Sequence, residues 1–345
     1  MRILHSADAP TIAPNARLVE ILAAISEDFL RDVVRALAFP RHFTAAPTNN
    51  RLAADWIAAQ FRAAGYQPFF QGQYANVVAA PLTGTGVGVP SWEGPGVGNG
   101  DQRAAADKPT PLPSQEGNFR KSILLVGAHY DTVPGTPGAD DNASAVAALL
   151  ACAKAVAEHA PNAPVCFVAF NREEEKLRGS ADFVKAYLPT SGLRIRQAHI
   201  LEMVGYCSHR PQSQRKPLSL PINIPSQGNF LGIIGNRRSN FLIDALLPQA
   251  QAYLPDLPVV GLQVYFGLER CCYHLLRSDH ASFWRRGVLA LLWTDTANFR
   301  NPHYHRRTDT PDTLDYAFLR RVTQLLLLQI LTFSRPQSPA NAQEY

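Results

Sequence analysis

No stretch of the chain reaches the roughly 18 consecutive apolar residues of a membrane-crossing helix, so a helical membrane protein is excluded. The first residues, MRILHSADAPTIAPNARLVE, have no apolar core of useful length. That argues against a secretory signal; a cytoplasmic location is the expectation and secretion the alternative. Cysteine is scarce: five residues, at 152, 166, 207, 271 and 272, with no Cys-x-x-Cys pair. A disulfide framework and a thiolate zinc site are both disfavoured, and Cys152 and Cys166, set in apolar segments, read as small core residues. Charge is modest, +5 over 345 residues, and the basic residues are scattered. No stripe or run suggests nucleic acid.

What is present suits a globular protein with a sizeable core: 46% hydrophobic and 18% charged residues. Apolar positions at helical spacing run through 16–38 and again through 49–64, where Gly65 marks a C-terminal cap. Short strand-like stretches follow near 67–71 and 75–80. Residues 83–120, rich in Gly, Pro, Ser and charge, read as a flexible insertion. From 122 onward, strand candidates at 122–128, 164–170, 198–204, 229–235 and 288–293 alternate with helical candidates at 142–158, 179–187, 238–250 and 312–334. Apolar strands alternating with helices predict an α/β fold. The expected sheet is mixed, mainly parallel and central, flanked by helices. The expected organisation is an N-terminal helical extension over 1–40, one catalytic domain over 41–335 and a tail at 336–345.

Ligands in such sheets bind beyond the carboxyl ends of the strands. Those positions are where the polar residues collect. His129 and Asp131 follow the first strand of the series, and NREEEKLRGS, with Glu173, Glu174 and Glu175, follows the second. Glu202 interrupts the apolar run HILEMV; Asp140 and Asp141 open a helix; His303 and His305 lie in NPHYHRRTDTPDTLD. Imidazoles with several carboxylates suit zinc. A bridging carboxylate, with one His and one further carboxylate on each side, would make a two-metal site. In a run of adjacent acids, one can ligate while its neighbour stays free as a general base.

Five pieces, GAHYDTVPGTPGADDNASA, FVAFNREEEKLRGS, LEMVGY, RSDHASFWRRGV and NPHYHRRTDTPDTLDY, resemble the M28 family of zinc aminopeptidases in order and spacing. The resemblance spans roughly 40–335 apart from the insertion. It implies a three-layer sandwich of the zinc-peptidase, phosphorylase/hydrolase-like type, holding two Zn2+, for which Co2+ or Mn2+ could substitute. It further implies that His129 and Glu202 bind one metal, that Glu174 and His305 bind the other, and that Asp141 bridges them. Glu173 becomes the general base, and Asp131 the residue orienting the His129 ring. Asp279 and His280 become groups lining or backing the site. The activity implied is removal of N-terminal residues from peptides. A single-zinc glutaminyl cyclase of related fold and a non-catalytic homologue are the alternatives. The chain departs from the family at Glu202, often Asp; at Lys176 and Ala145, often Gly; and at Tyr273, which sits out of register for a carbonyl-polarising tyrosine.

Other histidines have plainer roles. His5, His42, His159 and His199 read as surface or packed residues, and His303 as structural. Asp140 and Asn142 suit capping of the helix that follows them.

Overall fold

Two capped starts divide the N-terminal helical stretch. In the computed structural model, which describes residues 1–82, 122–217 and 222–333, the side chains of Asn15 and Ser26 each accept a backbone N–H of their own helix. The spacing predicts one helix over 16–38; there are two, α1 (Ala16–Ala23) and α2 (Glu27–Leu37). They are preceded by a short strand, β1 (Arg2–His5), and followed by α3 (Pro47–Ala63), β2 (Phe69–Gln71) and β3 (Asn76–Ala79). The expected insertion at 83–120 and tail at 336–345 lie outside the described residues.

The rest of the chain alternates: β4 (Ser122–His129), α4 (Ala145–His159), β5 (Val165–Phe170), α5 (Arg178–Asp182), β6 (Arg194–Glu202), β7 (Leu231–Gly235), α6 (Asn240–Tyr253), β8 (Val259–Gln263), α7 (His280–Arg285), β9 (Leu289–Thr294) and α8 (Tyr316–Phe333). The described strands form one mixed sheet in the order β1-β8-β7-β9-β6-β4-β5-β3-β2. Its centre, β5-β4-β6-β9, is parallel throughout, and antiparallel pairs lie outside it. β4 and β5 are buried almost end to end, as strands covered on both faces require.

The expectation of a purely helical extension over 1–40 is corrected by β1, which pairs antiparallel with β8 at one edge of the sheet. A four-residue strand of mixed polarity carries too little pattern to be seen in the sequence. α1 and α2 join the same apolar core as α4 and α8, through Leu22, Leu30, Val34 and Leu37. Among the described residues, no helix is long and apolar enough to cross a membrane.

Candidate metal centre

Three neighbouring strands end side by side. His129, the last residue of β4, pairs in register with Phe170 at the end of β5, and Ala128 pairs with Leu201 of β6, one residue before Glu202. Parallel pairing therefore brings His129, the Glu173–Glu174 loop and Glu202 to one edge. Asp141 comes from the turn before α4, and His305 from the connection between β9 and α8.

These six side chains form two clusters. Donor atoms of His129, Glu173 and Glu202 lie within 4.8 Å of one another, and so do those of Asp141, Glu174 and His305. Asp141 joins them: its Oδ1 is 3.3 Å from His129 Nε2 and its Oδ2 is 3.1 Å from His305 Nε2. Glu202 Oε2 stands 3.4 Å from His129 Nε2, and Glu174 Oε2 stands 3.5 Å from His305 Nε2. Asp141 Oδ1 and Glu174 Oε1 are buried with no hydrogen-bond donor. Buried carboxylate oxygens without a donor are costly. Four carboxylates facing two imidazoles, with such oxygens turned inward, are a donor set that suits divalent cations such as zinc.

A surrounding layer holds these groups in place. The Asp131 carboxylate accepts the backbone N–H of Glu173 at 3.1 Å and of Glu174 at 3.3 Å, and lies 3.4 Å from His129 Nδ1. It thus positions both the imidazole and the acid loop. Asp309 accepts the N–H groups of Asp140 and Asp141. Asn142 spans to the end of β6, donating to Leu201 O and accepting from Met203 N. Ser278 Oγ donates to Glu202 Oε2 at 2.7 Å. Arg41, fully buried, donates to the carbonyls of Leu37, Phe39, Tyr130, Pro137 and Gly138, and so clamps the 130–138 loop. Gly138 has φ +64, and a Cβ there would collide with Asp141 O and the Thr132 methyl. Only glycine lets the chain turn this tightly into Asp141.

Backbone strain gathers at the same edge. Arg172, Lys176, Leu177, Met203 and His305 all have φ between +50 and +72. Such conformations cost about 1–3 kcal/mol each for non-glycine residues and concentrate at functional sites.

Burial dominates the electrostatics. It pushes Glu173 well up from the usual carboxylate range, and the nearby Glu202, Glu174 and Asp279 add to the rise. Glu174 rises for the same reason, reinforced by Asp141. Burial opposes ionisation of Asp141, but His129 and His305 outweigh it and hold the carboxyl low. Burial also opposes charge on His129, yet Glu202 and Glu173 raise it well above an ordinary imidazole. Burial lifts both Asp279 and Asp309 to about 7.

A cavity of about 650 Å3 opens onto both clusters. Its walls are largely apolar, including Ile224, Phe230, Ile234, Leu262, Leu275 and Leu292. Tyr304 also lines it, with its ring stacked on His305 at 3.7 Å between centroids and its hydroxyl accepting from Arg277.

The structure brings together His129, Asp131, Asp141, Glu173, Glu174, Glu202 and His305. Glu175 turns aside to pair with Arg172 and Thr44. Asp140 accepts from Gly205 N and Asn301 Nδ2, a role that fixes loops. Asp279 is fully buried, whereas His280 bonds Leu275 O and packs against Trp284. His199 packs against Trp293 in the core, and burial lowers it to about 3. Tyr273 lines the cavity but is 75% exposed. Arg41 carries no signal in the sequence, and Ser278, Tyr304 and Asp309 lie inside family-like pieces without a role that the sequence marks. Each acts through a partner more than 20 residues away, except that Tyr304 adjoins His305.

The comparisons with known proteins agree with one another. The model of Peptidase family M28 matches residues 112–222 and 260–330. Uncharacterized protein YfbL of Escherichia coli K12 is 32% identical over 212 residues, 58% of this chain and 64% of that protein. Aminopeptidase YwaD of Bacillus subtilis is 37% identical over 111 residues, 32% of this chain and 23% of that protein. The chain therefore matches less than two thirds of either curated relative. Among solved structures, the Legionella pneumophila LapA aminopeptidase superposes with a TM-score of 0.67 at 16% identity, covering 96% of this chain and 77% of that one. Porphyromonas gingivalis glutaminyl cyclase superposes with 0.56 at 17% identity, covering 90% and 99%. At these identities the likeness is one of fold.

Proposed function

The chain belongs to peptidase family M28, and on that premise we propose that it is a zinc aminopeptidase that removes N-terminal residues from peptides. The observation that carries this reading is Asp141, whose two carboxylate oxygens face His129 on one side and His305 on the other. That arrangement supports a reading with two cations. His129 and Glu202 would hold one, Glu174 and His305 the second, and Asp141 both.

When bound, zinc supplies Lewis acidity toward a carbonyl oxygen and toward water. The chain's own groups do the rest. Glu173, beside the His129 cluster, takes a proton from the attacking water and passes it to the leaving amine. Asp131 keeps the His129 ring turned so that Nε2 faces the acids. The apolar cavity beside these groups receives the peptide's first side chain.

Exchanging Glu173 for Gln tests the assignment. Metal content and fold should persist while turnover falls on the order of 10²–10⁴-fold. Near-normal turnover would overturn the role. The second cluster, with His305, favours two ions over the one of a cyclase; metal analysis returning one zinc, with cyclisation of N-terminal Gln, would reverse that choice.

A further inference from the structure

Away from the centre just described, a thiol, an imidazole and a carboxylate converge where the chain leaves β6 and where α8 begins. Ser208 pairs with Gly228 in an antiparallel bridge, its N–H donating to Gly228 O at 2.8 Å. The bridge holds 207–209 extended, and in an extended chain residues two apart share a face. Cys207 and His209 thus point the same way, with Sγ 3.7 Å from Nε2. Asp315 reaches them from the start of α8. Its N–H donates to Gly205 O, and its Oδ1 accepts the N–H of Phe318 as a helix cap. One donor atom from each of Cys207, His209 and Asp315 lies within 4.8 Å of the other two.

We propose that Cys207, His209 and Asp315 form a separate binding site for a thiophilic divalent cation of the zinc class. Around a tetrahedral zinc, with bonds of about 2.0–2.3 Å, neighbouring ligand atoms stand roughly 3.3–3.8 Å apart. The sulfur–nitrogen distance already meets that spacing, and an Asp315 carboxylate oxygen lies within 4.8 Å of both atoms. Both Cys207 and His209 line an open surface cleft, so a cation has a path of entry.

The competing reading of the same atoms is a reactive thiol activated by its imidazole. Burial, with Asp315 nearby, raises the Cys207 thiol above its ordinary value. An activated nucleophile needs the opposite shift. A cation takes the place of the thiol proton: the S–H bond breaks, a sulfur–metal bond forms, and the proton leaves to solvent. Arg300 and Arg321 oppose a cation here, while Asp295 and Asp315 favour one. Arg300 donates to Gln214 and to Tyr206 O and lies over the Phe230 ring, so it keeps its charge, and Asp295 and Asp315 are the groups that offset it. A bound cation would tie the segment after Glu202 to the α8 start. Tyr206, next to Cys207, packs edge-on against His303 and so touches the loop that carries His305.

The site is independent of the proposed activity, and its test does not use that activity. The main centre offers only nitrogen and oxygen donors, so a sulfur-to-cobalt charge-transfer band reports on a thiolate site alone. Co2+ titrated into the metal-stripped full chain should produce this near-ultraviolet band. It should persist in Glu174→Gln, disappear in Cys207→Ser and weaken at least fivefold in His209→Ala, an exposed position that folding should tolerate. Zinc should also slow alkylation of Cys207 by iodoacetamide at least tenfold, read by peptide mass spectrometry. Absence of the band from the unaltered chain, its survival in Cys207→Ser, or unchanged alkylation with zinc would each overturn the proposal.

Discussion

The Asp309 carboxylate accepts the backbone N–H of Asp141 at 3.1 Å, and its other oxygen accepts that of Asp140 at 2.8 Å. An acid from the loop before α8 thereby holds the peptide from which the linking carboxylate projects. Asp309→Asn keeps the size but turns an amide N–H2 toward one of two N–H donors. The cost should be about 1–3 kcal/mol of stability, and the variant should bind zinc more weakly. Calorimetry and metal titration measure both. Unchanged zinc affinity in this variant would remove Asp309 from the positioning of Asp141.

Lys176 follows the acid cluster with φ +72 and an exposed side chain. A left-handed conformation costs a non-glycine residue about 1–2 kcal/mol. Lys176→Gly should therefore raise the thermal midpoint despite the added chain entropy, with a net gain of about 0.5–1 kcal/mol. A lower midpoint would mean that the Lys176 side chain contributes more than the backbone loses.

Stability of the metal-stripped protein should fall as pH rises through about 7. Burial raises Asp279 and Asp309 to about 7, and Glu173, Glu174, Asp295 and His129 are also raised well above their ordinary values. Each of these binds more protons folded than unfolded, so its stabilising contribution is present below the unfolded pKa and lost as pH climbs through the folded one. Asp279 and Asp309 complete that loss near 7, and the other raised groups carry it further. The buried His199 and His280 have lowered values and act oppositely, but only below about pH 6.5. Denaturant midpoints in chelator should drop across the window, and zinc at pH about 7.5 should restore them. A midpoint that climbs with pH in chelator contradicts the assignment of these carboxyls as protonated.

Arg41→Met removes a buried guanidinium that donates to five backbone carbonyls. The loss should be about 3–5 kcal/mol, because several carbonyls stay buried without donors. Thermal denaturation reads the effect, and a loss below about 1 kcal/mol would show that water replaces the side chain at little cost.

Selectivity should follow the cavity walls. Substrates with a free N-terminus and a large apolar first side chain should be cleaved at least tenfold more efficiently than those starting with Gly, since burying such a side chain gains about 1.5–3 kcal/mol. N-blocked analogues should resist. A panel of aminoacyl-amides measures this, and equal cleavage of blocked and free substrates would reject an exopeptidase.

Part of the clustered set was legible in the sequence, because His129, Glu173, Glu174 and Glu202 stand just after, or inside, apolar strands, whereas Asp141 and His305 were marked by the family resemblance. Glu202 is the clearest example: within HILEMV an unpaired acid would be expensive to bury. The α/β alternation was legible for the same reason, since strands such as SILLVGAH have no other reading beside an alanine-rich helix. The supporting layer was not. Asp309 resembles any acid in a Thr-Asp turn until Asp140 and Asp141 are seen to donate to it. Arg41 lies between Pro40 and His42 with nothing local to mark it. Their partners are backbone groups, which every residue possesses, so no residue pattern records the contact. β1, a four-residue edge strand of mixed polarity, and β8, only five residues long, escaped because so short a run has no distinctive period.

Asp131 holds the N–H groups of Glu173 and Glu174 on its two oxygens, one each, and this has a consequence for the history of the loop. The two hydrogen bonds act as a ruler laid against a run of three identical letters. Deleting one residue between Phe170 and Glu173 slides Glu174 and Glu175 onto the two marks, and a glutamate still stands at each. Inserting one residue there slides Arg172 onto the first mark, so a cation replaces the proton carrier. Glu175 is in this sense a spare letter on one side of the ruler only. Over evolutionary time the approach to the acid loop should therefore shorten more readily than it lengthens.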